Sequence, residues 1–231
     1  MTTVAIVVAA GSGTRMGADM PKALIPLAGR PLVAWSIWAL NASDRVDGIV
    51  VVAPPGHERP MGMALGETAE LLAMTTGGSS RGRSVAAGLG EVPEGADRIL
   101  VHDAARPLLS PDHISMVLAG IEDADGAIIA APAADTIKRT DDDLHIVETI
   151  DRSVHWLAQT PQAFRTESFA RAIEVALEGD YIDTCTDCAA MVEAMGGAVR
   201  VVPSVLPNQK VTTPSDLEIV AQLLEARNLR A

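Results

Sequence analysis

Aromatic side chains are nearly missing from this chain: three Trp, two Phe and one Tyr among 231 residues. Proteins that bind single-stranded nucleic acid stack bases on repeated aromatics set beside basic residues, so that class is excluded. Positive charge is short as well. A formal net charge of −12 at pH 7 excludes wrapping of a polyanion over a broad surface. Any anionic ligand must be held by a small, local group of cations. No apolar run reaches the length of a membrane span, and the start carries no basic stretch ahead of a leader-like core. A cytoplasmic protein without a membrane partner is expected. Cysteine is limited to Cys185 and Cys188 in "DTCTDCAA". A zinc site would need two more ligands, and no His stands at ligand spacing, so the pair reads as two ordinary thiols.

Lysine is the scarcest cation. Of 18 basic residues, only Lys22, Lys138 and Lys210 are Lys. Compositional drift toward Arg explains the scarcity but not where Lys survives. An ammonium is a compact point charge and a guanidinium a wide planar fork, so some phosphate sites do not exchange them. The three positions are therefore candidates for function.

Apolar content is ample, at 48%, and the length fits one α/β domain spanning residues 1–231. Strand-like runs recur near 4–10, 48–53, 71–76, 98–103, 126–132 and 198–203. Helix-like segments lie between them near 31–43, 83–92, 111–124 and 166–179. A last helix opens at "TTPSDLEIV", with Thr213 as cap, Pro214 first in the helix and Asp216 in the first turn. Continuous apolar strands alternating with amphipathic helices predict a Rossmann-like, mostly parallel twisted sheet with helices on both faces. One stretch, about 133–162, breaks the rhythm. Its β-branched residues flank a polar "TDDD" turn, which predicts a protruding β-hairpin arm. Ile137, Ile146, Val147 and Ile150 would leave that arm with an apolar face, and a homodimer contact is the expected cover.

The segment "VAAGSGTRMGADMPKAL", Val8 to Leu24, follows the first strand. Glycine-rich turns after a strand let backbone N–H groups approach a phosphate closely. Two familiar loops fail on spacing. The dinucleotide pattern wants Gly where Met16 stands, and the second strand, "GIVVVAPP", ends without the acidic residue that would hold a ribose. The Walker loop's Gly-Lys-Ser/Thr is absent. What remains is a glycine turn with Arg15 and Lys22 behind it.

That turn resembles the "AAGxGxRM…PK" signature of nucleotidyltransferases. Further blocks follow in order: "VHDAARP" at 101–107, "DTIKR" at 135–139, "QTPQAF" at 159–164, "TD" at 186–187 and "NQKVTTPSDL" at 208–217. Together they resemble the 2-C-methyl-D-erythritol 4-phosphate cytidylyltransferase family over nearly the whole chain. The resemblance implies transfer of a cytidylyl group from CTP to a polyol phosphate, with Mg²⁺ and in a homodimer. It implies catalytic roles for Arg15, Lys22, Arg152 and Lys210. It implies nucleotide contacts from Ala9, Ala10, Gly11, Ser12 and Gly13, and from Gly77, Gly78, Ser79, Arg81 and Ser84. Substrate contacts are implied for Asp103, Arg106, Thr136, Arg152 and Thr160, those of Thr136 and Arg152 across the dimer interface. Asp103 and Asn208 are the implied metal contacts. Two positions depart from the family pattern, which often has acidic residues where Ser79 and Cys188 stand. A ribitol 5-phosphate cytidylyltransferase is a neighbouring reading, in which Val more often replaces Ala105. A nucleotide-binding homologue without turnover is another, disfavoured by intact Arg15, Lys22 and Lys210.

Overall fold

The first strand, β1 (Thr3–Val8), lies inside the main sheet and alternates its side chains between two cores. Ala5 and Val7 enter one apolar cluster, and Ile6 enters the other. In the computed structural model, which describes residues 1–11, 13, 20–66 and 71–228, this strand is followed by a two-residue ribbon, β2 (Pro26–Leu27) and β3 (Arg30–Pro31). Then come α1 (Leu32–Asn41), β4 (Gly48–Ala53), α2 (Glu58–Leu65), β5 (Ala73–Thr76), α3 (Arg81–Gly90), β6 (Arg98–Asp103), α4 (Pro111–Gly120) and β7 (Gly126–Pro132). The second half holds β8 (Ile137–Thr140), β9 (Ile146–Ile150), β10 (Trp156–Arg165), α5 (Thr166–Glu178), α6 (Ala189–Ala194), β11 (Val199–Pro203) and α7 (Pro214–Asn228).

Seven strands form one sheet in the order β11-β7-β10-β6-β1-β4-β5. All neighbours are parallel except β10, which runs antiparallel between β6 and β7. Helices α1, α2 and α4 cover one face and α3, α5 and α6 the other, each placing Val, Ile, Leu, Phe or Met on the sheet. Phe164 of β10 and Phe169 of α5 stack with ring centroids 4.6 Å apart. Strand β1 passes to β4 on one side and receives β6 on the other. Ligands of open α/β sheets collect where the strand order reverses in this way, beyond the carboxyl ends. Val8 and Asp103 are paired at that edge.

The expected mostly parallel α/β layout is the observed one, and the strands at 48–53, 98–103 and 126–132 have the expected bounds. Three differences have physical causes. Helix α3 begins at Arg81 rather than near 83, because Ser80 caps it by accepting from the Arg83 N–H. At α7 it is Asp216 that accepts, from the backbone N–H groups of Thr212 and Thr213 and from both hydroxyls, so Thr213 does not cap by accepting through its side chain. The arm's own ribbon is confined to β8 and β9, which pair only with each other. Residues 156–162, read with the arm, instead belong to β10, which crosses the central sheet. Their ladder shifts register between Ala158 and Gln162, around Pro161, which has no N–H to donate. Among the described residues no helix is long and apolar enough to cross a membrane.

Candidate active site

A cleft of about 460 Å³ opens at the carboxyl edge of β1 and β6. Ala9, Ala10 and Gly11 form one wall, Gly78, Ser79, Ser80 and Arg81 another, and Lys22, Asp103 and Lys210 reach in from three further segments. Backbone bonds tie these segments together: Ala104 N–H to Val8 O at 3.0 Å, Gly77 N–H to Ala53 O at 2.8 Å, and Val211 N–H to Ala105 O at 2.7 Å. Gly13 and Gly77 are among the glycines that close approach requires. Gly13 has φ +66°, and a Cβ there would meet the Cβ of Lys22 at 2.6 Å; at Gly77 a Cβ would meet that of Ala10 at 2.3 Å. The phosphate-type loop and the loop before α3 are thus packed against one another through Gly77 and Ala10. Ser12 and Arg15 lie outside the described residues.

Asp103 is the electrostatic centre. Lys210 Nζ donates to its Oδ2 at 2.8 Å, and Arg81 Nε donates to its Oδ1 at 3.0 Å. Arg81 Nη2 also stands 2.9 Å from Oδ1 as an ion-pair contact. Burial opposes charge on Asp103, but Arg81 and Lys210 overcome it and hold the carboxyl well below the usual carboxylate range. Burial likewise opposes the Arg81 charge, and the Asp103 carboxylate, together with the hydrogen bond to Cys188 Sγ, more than offsets that, keeping it protonated. Lys22 lies in a short 3-10 turn, Lys22–Leu24, just after Pro21, and its Nζ donates to Val211 O at 3.1 Å. Among the described residues, three cations from chain positions 22, 81 and 210 therefore border one cleft with a single carboxylate, Asp103.

Behind Asp103 is a buried polar layer. His102 Nε2 is 3.1 Å from Arg106 O, which can only accept, so Nε2 carries the proton. Nδ1 is then the acceptor for the Thr160 hydroxyl at 3.2 Å, and Thr160 Oγ1 in turn accepts from Asp103 N–H at 3.1 Å. Burial pushes the His102 pKa down to about 3. Arg106 Nη1 donates to Asn208 O at 2.8 Å, and Asn208 Nδ2 donates to Gln159 Oε1 and Thr160 O. The register shift of β10 is what turns Thr160 and Gln159 toward these partners.

The structure thus gathers Ala9, Ala10, Gly11, Lys22, Gly78, Ser79, Arg81, Ser84, Asp103 and Lys210 along one cleft, with Gly13 and Gly77 in its packing. Some expected contacts are engaged elsewhere. The Ala9 N–H is bonded to Val52 O, so it is not a phosphate donor here. Ser84 Oγ accepts from Gly78 N–H and donates to Ser80 O, which shapes the loop rather than offering a hydroxyl to a base. Thr160 is 4% exposed and, in place of an open substrate contact, bridges His102 and Asp103. Thr136 and Arg152 sit exposed on the arm and do not line the cleft of their own chain; Arg152 Nη1 bonds to Ala134 O. Lys138 is also on the arm, donating to Thr149 Oγ1 at 2.7 Å. Sequence reasoning missed His102, Gln162 and Cys188 as partners of the site. The signal for His102 was its place beside Asp103, and for Cys188 its departure from the acidic residue the family pattern often has there.

A divalent ion can be tested against these donors. Among the described residues no group of three or more His, Cys, Asp or Glu could hold a metal. Among the described residues the Asp103 carboxylate lines the cleft, and Asn208 Oδ1, in the polar layer behind it, is buried with no hydrogen-bond partner. A donor set this sparse suits an ion that takes most of its shell from phosphate oxygens and water, as Mg²⁺ does.

Comparison with known proteins then gives a consistent result. The family model described as 2-C-methyl-D-erythritol 4-phosphate cytidylyltransferase matches residues 3–226. A protein of that name from Azoarcus sp. (strain BH72) is 42% identical over 233 residues, covering 96% of this chain and 94% of the relative. One from Synechococcus sp. (strain CC9902) is 39% identical over 223 residues, covering 96% and 97%. Among solved structures, the 4-diphosphocytidyl-2C-methyl-D-erythritol synthase of Anaerococcus prevotii superposes with a TM-score of 0.84 at 25% identity, covering 97% of this chain and 98% of that one. The 2-C-methyl-D-erythritol 4-phosphate cytidylyltransferase of Thermus thermophilus gives 0.79 at 28% identity, with 97% and 98% covered.

Proposed function

The chain belongs to the 2-C-methyl-D-erythritol 4-phosphate cytidylyltransferase family, and we propose that the cleft around Asp103 is where its reaction runs. The enzyme transfers the cytidylyl group of CTP to 2-C-methyl-D-erythritol 4-phosphate, giving 4-diphosphocytidyl-2-C-methyl-D-erythritol and pyrophosphate. A phosphate monoester has a second pKa of about 6, so its oxygen is already an anion at neutral pH and needs no general base. That oxygen forms a bond to the α-phosphorus of CTP as the bond to the β-phosphate oxygen breaks and pyrophosphate leaves. The obstacle is repulsion between two anions, and catalysis rests on positioning and fixed positive charge.

The observation that carries this reading is the convergence of Lys22, Arg81 and Lys210 on one cleft of an otherwise acidic chain. In our assignment the N–H groups of Ala10, Gly11 and Gly13 cradle the β- and γ-phosphates. Lys22, with Arg15, neutralises charge growing on the α-phosphate oxygens. Lys210 meets the attacking phosphate, Asp103 holds Lys210 and Arg81 in place, and Gly78, Ser79 and Arg81 border the nucleoside. Asp103 and Asn208 are the residues that would hold Mg²⁺; when bound, such an ion supplies further positive charge to the triphosphate. We assign the arm to a dimer contact. Leu144, Ile146 and Val147 of the ribbon and Val154 and Leu157 at its base are exposed, and Thr136 and Arg152 have no part in their own cleft. In the dimer they serve the cleft of the partner.

Incubation with CTP and methylerythritol phosphate, with ribitol 5-phosphate in a parallel reaction, tests the assignment. Pyrophosphate release with the first acceptor is expected, and release only with the second would overturn the substrate reading.

A further inference from the structure

We propose that Cys188 is a positioning residue for this reaction: its sulfur holds the Arg81 guanidinium in the plane from which it meets Asp103 at the cleft. The inference rests on the reading that Arg81 borders the bound nucleotide. Arg81 Nη1 donates to Cys188 Sγ at 3.3 Å while Nε donates to Asp103 Oδ1 at 3.0 Å. A guanidinium is a rigid planar fork, so acceptors on two different nitrogens fix both its place and its tilt. With the sulfur contact gone, only the Asp103 edge would remain, and the group could swing about it.

The sulfur is itself fixed. Cys188 has no exposed surface and packs in the apolar cluster of Phe164, Val101 and Ile6. Its N–H donates to Gln162 Oε1 at 3.1 Å, and Gln162 Nε2 donates to Asp187 Oδ2 at 3.0 Å. Asp187 Oδ1 accepts from Ala190 N–H at the start of α6. Strand β10, the "TD" turn and α6 are thereby locked around one thiol. Burial pushes that thiol upward in pKa, against the pull of Arg81, so it is neutral under ordinary conditions. A neutral acceptor orients the guanidinium without cancelling the charge that the nucleotide is to meet.

Steady-state kinetics on the full-length enzyme test this, with Cys188→Ala, Cys188→Ser and Arg81→Ala compared and Tm recorded for each. Cys188→Ala is expected to raise KM for CTP about fivefold, the scale of one ordinary hydrogen bond, and to leave KM for the polyol phosphate unchanged. Cys188→Ser keeps an acceptor and is expected to restore most of the loss. The inference is overturned if Cys188→Ala has wild-type constants while Arg81→Ala is impaired. It is equally overturned if the Ala and Ser variants are impaired alike, because the effect is then one of packing. Wild-type behaviour of Arg81→Ala would remove Arg81 from nucleotide binding and take the inference with it.

Discussion

Lys210 Nζ lies 2.8 Å from Asp103 Oδ2, joining residues 107 positions apart in sequence. The same carboxylate also carries Arg81, so one buried anion anchors two cations from separate segments of the cleft. The partners are not equivalent. The Lys210 side chain is 40% exposed and the Arg81 side chain 22%, and water can replace the carboxylate for the first more readily than for the second.

Asp103→Asn is therefore expected to destabilise the fold by about 3 kcal/mol, since it leaves a buried guanidinium without its counter-charge. Lys210→Ala, at the wetter end of the same pair, is expected to cost about 1 kcal/mol or less. Urea unfolding of the two variants checks the asymmetry, and equal losses would contradict it.

Lys22→Ala is expected to lower kcat roughly 100-fold, the scale of losing one fixed electrostatic stabiliser of the transition state. Its fold should survive, because Lys22 is only half-buried. Rapid-quench or pyrophosphate-release kinetics provide the measurement. An unchanged kcat removes Lys22 from the reacting centre.

Acid should weaken the protein earlier than its carboxylates alone would dictate. The unfolded chain binds a proton at His102 near pH 6.5, whereas the folded one, its imidazole buried between Thr160 and Arg106 O, does so only at about 3. Between those values the unfolded state holds more protons, so stability falls as pH falls. The slope is about 1.4 kcal/mol per pH unit for one such group. His113, lowered by burial as well, adds in the same direction. The paired Asp103 carboxylate contributes its own loss only below its unfolded pKa of about 4. Unfolding free energy measured from pH 7 to pH 5 is expected to drop, and His102→Asn to flatten the drop. A level wild-type profile would contradict this.

The arm carries a separate expectation. Arg152→Ala should raise KM for methylerythritol phosphate, and mixing it with Lys22→Ala should recover part of the activity if each cleft takes its arm from the partner. Subunit exchange without recovery, or a monomer by sedimentation, would contradict the shared site.

Much of the site was legible because its residues act through charge or backbone freedom. Lysine is so rare that Lys22 and Lys210 stood out, and the glycine turn announced an anion. What remained hidden depends on long-range register. Gln159, Thr160 and Gln162 face Asn208, Asp103 and Cys188 only because β10 enters the central sheet with a shifted ladder. The stretch up to Gln162 read as part of the arm because it continues the run of residues flanking the "TDDD" turn. The Ser80 cap that sets Arg81 in the first turn of α3 is a local signal and could have been read from "SSRG".

The structure of the complex with CTP tests the account most directly. Lys22 Nζ is expected within about 3 Å of an α-phosphate oxygen, with Arg81 against the nucleotide and Asp103 beside it. A triphosphate seated away from Lys22, or a nucleotide that leaves the Asp103 cleft open, would contradict the account.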